Sequence, residues 1–189
     1  MHFDAVLDFW FGTSDDAHFG EPRAVWFSKS DATDQQIRRQ FGTTVEAALR
    51  EELHAWTATS RGTLALIVML DQFTRNIYRE TVRAFAGDPA ALRLASTMVD
   101  RGDDRKLRLV ERWFAYMPFQ HSEFLVDQHE SLRLFRQLEL DGLSEPLPWA
   151  VKHLEIIDRF GRFPHRNSIM GRVSTDAELE FLQSQGSRF

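Results

Sequence analysis

The chain has no cysteine among its 189 residues. This absence excludes a disulfide framework, a thiolate nucleophile and any zinc or iron–sulfur site with cysteine ligands. Long apolar runs are also missing, because the longest, Leu64 to Leu70, falls far short of the roughly 20 residues that cross a bilayer. We therefore expect no membrane span, and a chemistry that depends on His, Asp, Glu, Arg, Ser or Tyr.

An excess of basic residues is lacking as well. Lys and Arg number 23 against 28 Asp and Glu, which gives a formal net charge of -5. Because nucleic-acid binders normally present a basic face, this balance argues against nucleic acid as a partner. The apolar N-terminus has no basic leader and contains Asp4 and Asp8, so we expect no signal peptide and a cytoplasmic location by default.

Large apolar side chains are abundant. Sixteen Phe, five Trp and a hydrophobic fraction of 43% supply enough surface for one substantial core. A chain of this length is too short for two full domains, so we expect a single helical domain over residues 1–189.

Helical periodicity dominates the chain, and no β-hairpin pattern interrupts it. Apolar residues recur at helical spacing from Phe3 to Phe11, and Gly12 supplies a stop. Thr33 with Gln36, and Thr175 with Glu178, resemble capping boxes that open helices. We predict an all-α fold of about eight helices stacked as antiparallel pairs. Its later helices are expected over residues 61–76, 106–116, 123–138 and 147–160, with one after an Asp88 N-cap and Pro118 acting as a stop.

Polar residues in otherwise apolar segments are the candidates for function. Such groups are costly to bury unless they are paired, so several of them in separate segments are expected to converge. One set lies at the end of the central helix, a second around the following helix pair, and a third in an arginine-rich segment without acidic residues. The candidate ligand-binding cluster comprises Asp71, Gln72, Arg75, Asn76, His121, Glu123, Asp127, Gln128, His153, Arg159, Arg162, His165, Arg166, Asn167 and Arg172.

Two interpretations of this cluster stay open. In the first, its carboxylates and arginines form a structural ion-pair network. In the second, arginines hold a phosphate or carboxylate, and His121 or His153 adds a titratable group. A metal site is disfavoured, because His121 and Glu123 are two residues apart and no HExxH pair exists. Stacking of single-stranded nucleic acid on residues 159–172 is disfavoured by the acidic composition.

Four segments in order resemble one bacterial family. They are VLDFWFG from Val6, LALIVMLDQFTRNIYR from Leu64, MPFQHSE from Met117 with the DQ pair at Asp127, and RFGRFPHRNSIMGR from Arg159. The family is domain-of-unknown-function family 924 (DUF924), and the pattern extends from about Phe3 to the last helix. The resemblance implies a tetratricopeptide-like all-α fold. It implies no activity, cofactor or catalytic residue.

Two classes of function remain. A binding or scaffold module would hold a peptide, protein or small ligand in a helical groove, by analogy with tetratricopeptide-like folds. The alternative is a small-molecule enzyme or sensor whose Arg, His and Asp side chains hold an anionic metabolite. We expect an anionic small molecule or a peptide as partner, and the sequence identifies neither a cofactor nor a reaction.

Overall fold

The computed structural model describes residues 1–13, 15, 18–19 and 21–184, and its regular structure in that part is helical throughout. The all-α prediction is confirmed. Residues 14, 16, 17, 20 and 185–189 of the predicted domain lie outside the described residues. The helices are α1 (Asp4–Phe11), α2 (Ala24–Phe27), α3 (Asp31–Leu49), α4 (Ser60–Ile67), α5 (Thr74–Ile77), α6 (Asp88–Asp100), α7 (Leu109–His121), α8 (Leu125–Leu140), α9 (Leu147–Phe160) and α10 (Asp176–Leu182).

Helix α1 places an aromatic side chain at the centre of the core. Its apolar stripe is buried, and Gly12 ends the helix as predicted, with a φ of 88° that favours glycine. Trp10 is 1% exposed and packs edge-on against Phe73 and Phe114, at ring-centroid distances of 5.4 and 5.7 Å. These two aromatic contacts join α1 to Phe73 of the central helix and to Phe114 of α7.

Helix α3 differs from its prediction at the start. The predicted capping box at Thr33 is wrong, because the helix already begins at Asp31 and the hydroxyl of Ser30 accepts the amide of Thr33. The helix also continues through Gly42 without a break. The N-cap is therefore Ser30, three residues before the predicted one, and its hydroxyl satisfies one of the free amides of the first turn.

The central helix contains one wide turn. It starts as α4, changes to a π-helical segment over Val68–Phe73, and finishes as α5. Every residue of the π segment is buried, including Asp71 at 1% exposure. Single π turns within α-helices are frequent at functional sites. Here the turn directs a carboxylate into the protein interior.

Two predicted boundaries are wrong. Asp88 is not an N-cap, because it lies inside α6, and its carboxylate accepts hydrogen bonds from Arg75 instead of from the helix start. Pro118 does not stop α7, which continues to His121. Since α7 is buried almost completely around Pro118, its packing outweighs the loss of one helical hydrogen bond. His121 is therefore the last residue of a buried helix.

Helices α7, α8 and α9 pack in sequence against one another, joined by short connections. Gln128 on α8 lies in the core, and its Nε2 donates to the backbone oxygens of Gln120 and Ser122, at 2.7 Å each. This amide therefore caps the C-terminal end of α7. Among the described residues, no helix combines the length and apolarity that a bilayer crossing requires.

Candidate functional site

The site is built around the buried carboxylate of Asp71. Its Oδ1 accepts a hydrogen bond from His121 Nδ1 at 2.7 Å and lies 3.3 Å from Arg75 Nη1, while Oδ2 accepts from Gln72. Burial alone would raise the pKa of Asp71, but Arg75 and His121 hold it well below its usual range. Asp71 is therefore an anion at neutral pH, held from three sides.

Arg75 connects Asp71 to the start of α6. Its guanidinium donates to both carboxylate oxygens of Asp88, at 2.8 and 3.0 Å, and to the backbone oxygen of Asp71. Burial opposes the charge of Arg75, yet the Asp71 and Asp88 carboxylates raise its pKa. The bidentate geometry fixes the orientation of this arginine.

A second arginine, Arg166, comes from the short 3-10 turn Pro164–Arg166. Its side chain is only 8% exposed, yet its guanidinium donates no hydrogen bond within the described part of the chain, and its Nε is fully buried without a partner. The nearest carboxylate is that of Asp88, 3.8 Å from Nη1 and already engaged by Arg75. Burial, and then repulsion by Arg75, lower the pKa of Arg166 to about 10. Arg166 is thus charged at neutral pH and poorly satisfied.

Aromatic rings hold this guanidinium in place. Its central carbon lies 4.8 Å from the ring centre of Phe85 and 4.6 Å from that of Phe163. Arg75 also lies over Phe85, at 5.5 Å. Cation–π contacts supply attraction but no hydrogen-bond acceptor, so the N–H groups of Arg166 keep their binding capacity.

Three histidines approach the arginines. The ring centres of His121 and His153 are 6.2 Å apart, and His153 Nδ1 bonds the backbone oxygen of Trp149 at 2.7 Å. Burial, and then the proximity of His121, lower the pKa of His153 to about 3. Burial, and then Arg166, lower the pKa of His165 to about 3 as well. His153 and His165 are consequently neutral at physiological pH.

An ion pair closes one side of the cluster. Arg172 donates to both oxygens of Glu123, at 2.6 and 3.0 Å, and Glu123 also accepts the amide of Phe163 at 2.9 Å. Burial would raise the pKa of Glu123, but Arg172 lowers it. The pair anchors the segment that carries Phe163 and, three residues later, Arg166.

The structure brings together only part of the predicted site. Gln72 touches the cluster through Asp71, and Gln128 is a helix cap. Asn76 donates to Asp34 on α3 at 2.7 Å, and Asp127 accepts the hydroxyl of Ser122 at 2.6 Å. The residues that converge are Asp71, Arg75, His121, Glu123, His153, His165, Arg166 and Arg172.

Three predicted arginine-segment residues lie apart from this convergence. Arg162 forms a bidentate pair with Glu178 of α10, at 2.6 and 2.8 Å. Asn167 donates to Ser174 at 3.0 Å, and Arg159 is exposed over Phe160. These contacts stabilise the C-terminal segment, and none of them is a hydrogen bond to the Asp71 cluster.

Sequence reasoning missed Asp88, Phe85 and Phe163. Asp88 precedes a proline at a helix start, which is the usual signature of an N-cap, and its pairing with Arg75 across 13 residues left no signal in the sequence. The two phenylalanines looked like ordinary core residues. Their role is visible only in the folded structure, where each ring packs against the guanidinium of Arg166.

The chemistry of this arrangement is that of an anion site with a titratable neighbour. Two guanidiniums and one imidazole oriented by a carboxylate are groups that recognise phosphates or carboxylates and move protons. No set of three or more potential metal ligands is arranged to hold an ion in the described ranges. Glu123 and Asp127 are engaged by Arg172 and Ser122, respectively.

Comparison with known proteins identifies the class of this chain. Residues 6–186 match the model of a family described as bacterial protein of unknown function (DUF924). The chain belongs to that family. It is similar to the solved structure of a protein of unknown function, ATU0120, from Agrobacterium tumefaciens, with 35% sequence identity, 96% of each chain covered and a TM-score of 0.84. No curated protein matches.

Proposed function

We propose that this protein binds a small anionic ligand, a carboxylate or a phosphate, at the cluster formed by Asp71, Arg75, His121 and Arg166. The observation that carries the proposal is the state of Arg166. Its charged side chain is only 8% exposed, yet it donates no hydrogen bond within the described residues. A buried charge without hydrogen bonds is costly, and an anion would supply the missing acceptors.

The neighbours of Arg166 favour a ligand over a structural pair. A structural pair would place a carboxylate in fork geometry, as Asp88 does with Arg75 and Glu178 does with Arg162. The contact of Arg166 with Asp88 is longer, at 3.8 Å, and involves an oxygen that Arg75 already uses. None of the five N–H groups of the guanidinium donates a hydrogen bond to a carboxylate among the described residues.

A thermal-shift titration tests the proposal. Phosphate and succinate are added to the protein at constant ionic strength, with chloride as the reference salt. At 100 times its Kd, a specific anion stabilises the fold by about 2.7 kcal/mol, which raises the Tm of a domain of this size by about 5–10 °C. Arg166→Gln should remove this shift.

Arg159→Gln is the matched control, because Arg159 is exposed and lies outside the cluster. Its anion response should equal that of the unmodified protein, whereas any shift that remains in Arg166→Gln measures the general stabilisation that phosphate gives any protein. Without an anion, Arg166→Gln should be as stable as the unmodified protein or more so, since it removes a poorly paired buried charge. A large loss of stability, or an unchanged anion response, would refute the proposal.

A protein or peptide partner is a second candidate, and one observation favours it. Phe124 and Val126 at the start of α8 are 71% and 74% exposed, and Val126 borders a groove of about 540 Å³ that Val99 and Phe119 also line. Exposed apolar patches beside grooves are typical of interaction surfaces. Replacing Phe124 and Val126 by Ser should weaken self-association measured by sedimentation velocity if this surface binds a second copy. An unchanged monomeric profile in both proteins would exclude that occupant.

A further inference from the structure

His121 joins the buried carboxylate of Asp71 to the more open side of the cluster. Asp71 is ionised and has no proton to donate, so the hydrogen bond of 2.7 Å requires the proton to be on Nδ1 of His121. In the neutral imidazole, Nε2 then carries the lone pair. The Asp71 contact therefore selects the tautomer in which the outer nitrogen is the basic one.

The surroundings of Nε2 leave this lone pair available. The described residues offer it no hydrogen-bond partner, and the side chain is 13% exposed. The adjacent hydroxyl of Ser122 points elsewhere, since it donates to Asp127 at 2.6 Å. Within the described part of the chain, no side-chain hydroxyl is hydrogen-bonded to the basic nitrogen, so this nitrogen is left for a bound ligand.

We infer that His121 is the acid–base residue of the anion site, accepting a proton directly from the bound ligand while Asp71 positions it. This inference rests on the proposed anion-binding function. The ligand is an anion that carries a dissociable C–H or O–H proton beside its charged group. The proton moves to the Nε2 lone pair, the electron pair of the broken bond stays on the ligand near the guanidinium of Arg166, and the reverse step returns the proton. No further reactant is consumed.

The Asp71 carboxylate stabilises the imidazolium that forms, in the way that the carboxylate of a catalytic triad does. A positioned general base of this kind contributes typically about 10²–10⁴-fold to a rate. If the Asp71–His121 pair only stabilised the end of α7, Nε2 of His121 would not have to be reactive. The nucleophilicity of Nε2 therefore distinguishes an acid–base role of His121 from a purely structural one.

Carbethoxylation by diethyl pyrocarbonate measures this nucleophilicity without knowledge of the substrate. The rate at each histidine is followed by peptide mass spectrometry on the folded, full-length protein. His129 is exposed on α8 and provides the internal reference. We expect His121 to react at least as fast as His129 despite its burial, and His153, whose side chain is almost wholly buried, to react far more slowly.

Two variants make the test specific. Asp71→Asn removes the charge that supports Nε2 and should slow the reaction of His121 about tenfold. Asp127→Asn changes a nearby carboxylate that contacts Ser122 and should leave the His121 rate unchanged. If Asp71→Asn does not fold, the comparison of His121 with His129 in the unmodified protein still decides whether His121 has the reactivity of an acid–base residue.

The outcomes distinguish this inference from the proposed anion site. A His121 rate more than tenfold below that of His129 overturns the acid–base role, even if phosphate or succinate shifts the Tm. An Asp71→Asn rate equal to that of the unmodified protein overturns the positioning role of Asp71. If His121 reacts fast but neither phosphate nor succinate protects it, the anion site is overturned and the basic character of His121 stands.

Discussion

Two histidines that are buried without charge should make the protein acid-sensitive above the range where carboxylates titrate. The pKa values of His153 and His165 are lowered from 6.5 to about 3 in the folded protein, mainly by burial. An unfolded chain protonates both near pH 6.5 and so binds more protons than the folded one between these values. Their contribution to stability is therefore complete above pH 6.5 and is lost as the pH falls toward 3.

The expected slope follows from the number of protons. Each additional proton bound by the unfolded chain changes the free energy of unfolding by about 1.4 kcal/mol per pH unit, so the two histidines together give about 2.7 kcal/mol per unit below pH 6. Typical domains are stable by only about 5–15 kcal/mol, so one pH unit removes a substantial share. Above about pH 5.5 the carboxylates of the unfolded chain are almost all ionised, so the slope between pH 6.5 and about 5.5 belongs to the histidines.

Urea unfolding followed by tryptophan fluorescence at pH 7, 6, 5.5 and 5 measures this slope. His153→Gln should reduce it by about half, because one of the two neutral imidazoles is gone. His129→Gln changes an exposed imidazole and should leave it unchanged. A free energy of unfolding that stays constant as the pH falls below 6.5 would show that both imidazoles are charged in the folded protein, and a slope that His153→Gln leaves intact would show this for His153.

Three further predictions concern stability. Gln128→Leu should destabilise by about 2 kcal/mol in urea unfolding, because it removes the amide that donates to the carbonyls at the end of α7, whereas Gln137→Leu on the exposed side of α8 should change little. Tyr116→Phe should cost a similar amount, about 2 kcal/mol, because the tyrosine hydroxyl donates to the buried Asp104 and accepts from Arg112; an unchanged urea midpoint would mean that water replaces it. Gly87→Ala should destabilise and Gly42→Ala should stabilise by about 1 kcal/mol, since a Cβ at Gly87 would lie 2.2 Å from the backbone oxygen of Leu70 and one at Gly42 meets nothing within 4 Å; equal Tm changes for the pair would contradict this packing.

Local sequence signals predicted the helices well where packing and propensity agree. Helix α9 begins and ends at the predicted residues, and the capping box of Thr175 and Glu178 forms as expected. At Pro118 the two disagree, because a proline ordinarily ends a helix but here lies inside a buried one. Only the tertiary environment decides such a case. The tetratricopeptide-like pairing of the helices stays a prediction.

The candidate site was predictable in its outline only. Asp71 could be singled out because a polar set ends an apolar helix, and His153 because it interrupts an apolar stripe, and both are buried. The ion pairs in and around the site could not be predicted, because Asp34 pairs with Arg79 across 45 residues and Glu123 pairs with Arg172 across 49. Ion pairs at such separations leave no trace in local periodicity, so sequence alone could not divide the predicted arginines into structural ones and Arg166.

The wide turn at Val68–Phe73 makes the spacing between the two ends of the central helix unusually sensitive to length. Each residue of an α-helix advances the chain by about 1.5 Å and rotates it by about 100°. Deleting Met69 would allow the segment to relax into a regular helix, but it would turn Arg75 away from Asp88 or turn the apolar face of α4 away from the core. Such a deletion would therefore disrupt either the packing of α4 against the core or the ion pair of Arg75 with Asp88.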